Sequence, residues 1–239
     1  MLGYGAPLTV LPLDGGAPGA ADLSSFLWEA PGAAGRFAGI IMHPDVEALG
    51  YMTAAQASAI KEYQRQTGAR ALKFDAAPAS YGMAPAACAS GDARLALTPA
   101  APLGSSGVRV GAVLSGQGLK RCPGFEATAS GTCCNQLAGA QAPSCAPCRA
   151  TPILRASDPA PPTAAAAAAG PAGALDAQTA GVLVTHGDGR EAMALMLQCS
   201  DESSACFVLG HLGVAWALQN LIPGERRVLL SLQCNITTT

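Results

Sequence analysis

The residue types best able to do chemistry in this chain are its cysteines. Six of the nine lie between Cys88 and Cys148: Cys88, Cys122, Cys133, Cys134, Cys145 and Cys148. Cys145-Ala-Pro-Cys148 is a C-x-x-C and Cys133-Cys134 is a vicinal pair. A zinc site would need two such pairs, or one pair with histidines, at set spacing. The upstream cysteines do not supply that spacing, and no histidine falls between His43 and His186. A thioredoxin-like redox pair belongs between a strand and a helix, not in a proline-rich loop. Structural disulfides are therefore preferred over a metal. Cys199 and Cys206 form a further candidate pair, and an odd total leaves at least one thiol over.

The ionisable candidates are few. His43 and His186 each follow a predicted strand, as do Asp45 and Asp75, at the end where open α/β sheets bind ligands. Each is also compatible with an ordinary cap or a solvated side chain. His211 falls within an apolar helix and reads as a core residue. No G-x-S-x-G elbow follows a strand and no phosphate-binding loop is present, so the residues name no cofactor and no metal site. Asn235-Ile236-Thr237 is an N-glycosylation sequon.

The elements that must position these groups are clearest between residues 37 and 75. Phe37–Met42 is a short branched-apolar run of the kind buried on both faces of a parallel sheet. Thr53 begins a helix with Gln56 completing a capping box. Ile60 and Tyr63 mark its inner face, Lys61, Glu62, Gln64, Arg65 and Gln66 its outer one. Gly68 stops it, and Ala69–Phe74 is the next strand, parallel to the first because a helical crossover returns the chain to the same end. Leu8–Leu13 predicts a strand, Arg94–Leu97 a short one, and Val108–Leu114 another. GVLVTH and EAMALMLQC, joined by HGDGR, predict a hairpin; residues 203–221 predict a buried helix capped by Ser203 or Ser204, and Arg227–Gln233 a last strand. Residues 116–175 read as an irregular cysteine-rich and low-complexity insertion.

This alternation sets the class as α/β, with a flavodoxin-like or amidotransferase-like, mostly parallel sheet in a single domain over 1–239. The opening, with Leu8–Leu13 already a strand, suggests a chain truncated at its N-terminus, so the lack of a signal peptide carries little weight. Half the residues are hydrophobic, 5% aromatic and 13% charged, with net charge −2. That balance argues against a nucleic-acid partner, which needs a basic face. No apolar run reaches the roughly 20 residues of a membrane span.

Several stretches together resemble the N-terminal region of the fungal galactosaminogalactan deacetylase family. They are YGAPLTVLPL, FAGIIM, the helix with its KEYQRQTGARALKFD exit, the HGDGR turn, LGHLGVAWAL and RRVLLSLQ, in order over about half the chain. In that family this region is a carbohydrate-binding module ahead of a metal-dependent deacetylase domain; its strand order is also similar to class I glutamine amidotransferases. Cys234-Asn235 stand where the family's metal-site aspartates begin, and Asp75-Ala76-Ala77-Pro78 where an amidotransferase carries its cysteine elbow. The resemblance therefore implies an extracellular or cell-wall polysaccharide-binding domain without the catalytic domain, its partner an amino-sugar polymer or another polysaccharide. A degenerate hydrolase or amidotransferase-like enzyme using His43, Asp45, Asp75 or His186 is the alternative, and a structural domain without ligand a third. On the binding reading, Tyr4, Trp28, Tyr51 and Tyr81 are the candidate sugar-stacking rings, and Trp216 is core.

Overall fold

The computed structural model describes residues 7–13, 22–30, 34–102, 109, 111–126, 148–157, 175–198, 204–218 and 228–234. Twelve strands are found among them: β1 Leu8–Leu13, β2 Gly39–Met42, β3 Arg70–Lys73, β4 Met83–Pro85, β5 Ala89–Leu97, β6 Val113–Arg121, β7 Gly124–Glu126, β8 Cys148–Ser157, β9 Thr179–His186, β10 Glu191–Leu195, β11 Leu197–Gln198 and β12 Leu229–Cys234. Three helices accompany them, α1 Leu23–Leu27, α2 Ala54–Thr67 and α3 Ser204–Ala217, with a 3₁₀ turn at Pro78–Tyr81.

Ten strands form one sheet in the order β1-β12-β2-β3-β10-β9-β8-β5-β6-β11. The first five run parallel. From β10 onward every pairing is antiparallel. The sheet is thus mixed, not mostly parallel as the sequence suggested, and it does not establish a flavodoxin-like topology. The reason lies in the connections. Helices lie on the connections β1–α1–β2 and β2–α2–β3 and on the α3 return to β12, whereas the HGDGR turn and its neighbours send the chain straight back and force antiparallel pairing.

The stretch read as irregular contributes strands as well. β6 begins at Val113, later than expected, and runs to Arg121; β8 supplies ten residues at the centre of the antiparallel half. β8 alternates polar and apolar side chains around Thr151, Pro152 and Arg155, and the cysteine and proline content around it masked that pattern. Residues 127–147 and 158–174 lie outside the described residues, as does Asn235.

Residue parity divides the core. Ile41, Leu72 and Phe74 face α3, together with Leu95, Leu97 and Leu119 from the antiparallel strands. Ile40, Met42, Leu230 and Leu232 face the other way, against α1 and α2. On that same face, Ala71, Val182, Val184, Ala192 and Ala194 pack under Tyr81 and Met83, which belong to the 3₁₀ turn and the small β4–β7 pair. Gly213 lets α3 approach closely, since a Cβ there would meet the Leu72 side chain at 2.6 Å.

α2 forms as its sequence dictates. Thr53 and Gln56 make the reciprocal capping box, and Gly68 closes the helix at φ 72°. Tyr63 is fully buried, and its hydroxyl both accepts from the Phe37 N–H and donates to the Phe37 carbonyl, each at 2.6 Å. Gln64 is a correction: it is buried and donates to the Ala69 carbonyl at 3.2 Å instead of lying on the outer face.

Candidate functional site

Charged groups accumulate at the carboxyl ends of β2 and β3. After β2 the chain passes a cis His43–Pro44 bond and turns through Asp45–Gly50. Asp45 caps this turn by accepting from the Ala48 N–H. Lys73 ends β3 on the same face as Ala71, so its side chain enters the seam between the α2 cluster and the Tyr81 cluster. Its Nζ lies 2.8 Å from Glu47 Oε2 and 3.5 Å from Asp45 Oδ1. Tyr81 Oη donates to Asp45 Oδ2 at 2.7 Å, and Lys61 on α2 reaches Glu47 Oε1 at 2.9 Å.

Asp45, Glu47, Lys73 and Tyr81 are all buried, and the two carboxylates are balanced by the buried Lys73 ammonium and the partly exposed Lys61 ammonium. Burial alone would raise the Glu47 carboxyl, but Lys73 and then Lys61 outweigh it and hold it at about 2. Burial also opposes the charged form of Lys73, yet Asp45, Tyr81 and Glu47 keep its ammonium well above the usual range. The Tyr81 phenol is pushed well up, first by burial and then by Asp45, so it stays protonated and donates. Each charge is thus spent on a neighbour inside the protein. The cluster can pin the Tyr81 turn and the Asp45 turn to the sheet; its one partly exposed member, Lys61, is already paired with Glu47.

The other strand-end candidates do not join it. His43 is exposed at the same end, edge-on to Phe74 at 5.5 Å. Asp75 has φ 52° and its N–H donates to the Leu197 carbonyl at 3.1 Å. His186 stands at the other end of the sheet, because β9 runs antiparallel to β10 and so opposite to β3. That placement corrects the expectation of a shared carboxyl edge, which assumed a parallel β9. There His186 is buried; burial first and the Arg190 guanidinium second bring its imidazole down to about 4.

The candidate rings are dispersed too. Tyr81 is fully buried and cannot stack on a sugar, which corrects its assignment to an exposed platform. Trp28 is half-buried, edge-on to Tyr63 at 5.0 Å, late in α2. Tyr51 precedes the start of α2 and is half-buried, packed on the same core cluster as Trp28. Tyr4 lies outside the described residues. Trp216 is buried, as expected of a core residue, with Arg70 over its ring at 4.8 Å.

A disulfide joins Cys88 to Cys122, with Cα atoms 4.2 Å apart, just under the usual range. It ties the start of β5 to the end of β6, next to the β4–β7 pair. Cys148 and Cys206 are also disulfide-bonded. The expectations for Cys133, Cys134, Cys145 and Cys199 fall outside the described residues. Among the described residues no three His, Cys, Asp or Glu side chains group as a metal site. No described helix is long and apolar enough to cross a membrane.

Sequence reasoning missed Glu47, Lys61 and Lys73 as members of the ion cluster. The available signal was Lys73 itself, an inward-phased lysine at the end of β3. The sequence matches no protein-family model and no curated protein. Among solved structures, the chain is similar to the crystal structure of Agd3, a carbohydrate deacetylase, with a TM-score of 0.55 and 18% identity. The match covers 93% of this chain and 34% of that one, so the chain spans about a third of the length of its structural neighbour and shares its α/β fold there.

Proposed function

We propose that this chain is a polysaccharide-recognition unit of a deacetylase-type protein working outside the cell, and that it binds glycan without cleaving it. The observation that carries this reading is the fold likeness to a carbohydrate deacetylase over 93% of the chain. A disulfide between Cys88 and Cys122 supports an oxidising compartment. The non-catalytic part is supported by the dispersal of the polar candidates: Asp45 is consumed by Lys73 and Tyr81, while His43 and His186 are at opposite ends of the sheet. A hydrolytic site needs such groups to converge on one reacting atom. The domain is taken as single over 1–239, with the cysteine-rich segment as part of it.

The test is titration of the purified chain against acetylated and deacetylated amino-sugar polymers, a neutral glucan and a polyuronate, beside an acetate-release assay with added zinc. Binding to at least one polymer with no acetate released is the expected result. Acetate release would overturn the non-catalytic part, and failure to bind any polymer would overturn recognition altogether.

A further inference from the structure

Within the antiparallel half, β5, β6 and the Leu154–Ser157 end of β8 have one face on the core and one toward solvent. Ala93, Leu95, Leu97, Leu119, Leu154 and Ala156 point to α3 and are buried. The alternate residues form the opposite face. Register places Arg94 between Ser157 on β8 and Ser115 on β6, and the next row out holds Arg155, Ala96 and Val113. Further along, Ser90 lies beside Lys120, with Gln198 on the far side. Ser90, Val113, Ser115, Gln117 and Lys120 are exposed.

Charge on this face is unevenly matched. Arg155 is paired with Asp176 at 2.5 Å. The Asp92 carboxylate accepts from the Gly118 N–H at 3.2 Å. Arg94 is half-buried, and among the described residues it makes no ion pair and no hydrogen bond. Lys120 makes none either. Arg94 and Arg155 sit on a cross-strand diagonal, roughly 7–8 Å apart. Ser90 is four residues from Arg94, so Lys120 beside it stands about 13 Å along the strands, with the Asp92 carboxylate between the two cations. A guanidinium on a flat surface, flanked by small hydroxyl side chains, leaves room for a planar anion to approach in its fork geometry.

We infer that this face of β8, β5 and β6 binds a carboxylate-bearing polysaccharide, one uronate carboxylate seating on Arg94 between Ser115 and Ser157. The inference rests on the recognition reading above and names its substrate class. A deacetylated amino-sugar polymer is cationic at neutral pH and is repelled by the unpaired Arg94 and Lys120. No aromatic platform is required, because a charge-assisted pair supplies the specificity and the serines take sugar hydroxyls.

The experiment compares polygalacturonate, its methyl ester and chitosan by calorimetric titration of the full chain. Polygalacturonate binding is expected, with the ester at least about tenfold weaker because the charged acceptor is lost. Arg94→Gln should weaken polygalacturonate by a similar factor, while Arg65→Gln on the outer side of α2 leaves it unchanged. Coincident unfolding midpoints for the two variants and the parent confirm that folding is not the cause. Equal binding of acid and ester, or equal loss in both variants, overturns the inference. Binding of chitosan or an acetylated polymer without polygalacturonate overturns it while leaving recognition standing; no binding to any polymer removes both.

Discussion

The two halves of the sheet handle charge in opposite ways. In the parallel half, β1-β12-β2-β3-β10, helices or the Tyr81 cap lie on both faces, and a charge that enters must be neutralised in place. Lys73 is, by Asp45 and Glu47. Across β5, β6 and the end of β8 in the antiparallel half one face stays open, and Arg94 and Lys120 meet solvent there without partners among the described residues. The difference follows from connectivity. Crossover helices cover both sides of parallel strands, whereas tight turns leave an antiparallel sheet free to show a wet face. Charge in the first half therefore holds the fold together, and charge in the second is available for recognition.

The sharpest way to break this contrast uses the same residue type in both halves. Lys73→Met should destabilise by roughly 3–5 kcal/mol, because it strands Asp45 and Glu47 as buried carboxylates. Urea unfolding measures this, and a loss below about 1 kcal/mol would mean that the cluster is solvated. Replacing Cys88 and Cys122 together by serine should cost about 2–4 kcal/mol by freeing a long loop in the unfolded chain. Reduction of the parent should lower the midpoint by at least that much, since the bonds of Cys148 and Cys206 are broken as well.

Titration separates the halves further. His186 is held near 4 against 6.5 when unfolded, so the folded protein favours the neutral ring. The stability this adds is complete above pH 6.5 and is lost as pH falls toward 4, with a slope of up to about 1.4 kcal/mol per pH unit. His186→Gln should flatten that limb. Glu47, depressed from 4.5 to about 2, adds a second loss confined to lower pH, as pH falls from 4.5 through 2. A His186→Gln protein whose stability still falls steeply between pH 6.5 and 4 would refute the assignment.

Smaller effects complete the series. Thr53→Ala should cost about 1 kcal/mol through loss of the α2 cap. At the bottom, Lys120→Gln on the open face should change stability by less than about 0.5 kcal/mol, the ordinary range for a surface site. A large effect there would show that the face is covered and would remove the basis for binding.

The sequence by itself determined the local elements. The capping box at Thr53 and Gln56, the stop at Gly68, the apolar run before His43 and the HGDGR hairpin are all set by chemistry within a few residues, and each stands as read. β8 was not legible, since Pro152, Arg155 and the cysteines around it break the pattern a single strand shows. Nor was the direction of β9 relative to β3, which sent His186 to the opposite end from Asp45. Parallel or antiparallel pairing depends on partners far apart in the chain, and period-two alternation is the same in either. The ion cluster was decided at the same level. Lys73, Glu47 and Tyr81 are each unremarkable in sequence; only the burial of their shared seam made their pairing obligatory, because a charge removed from water must find its counterion inside.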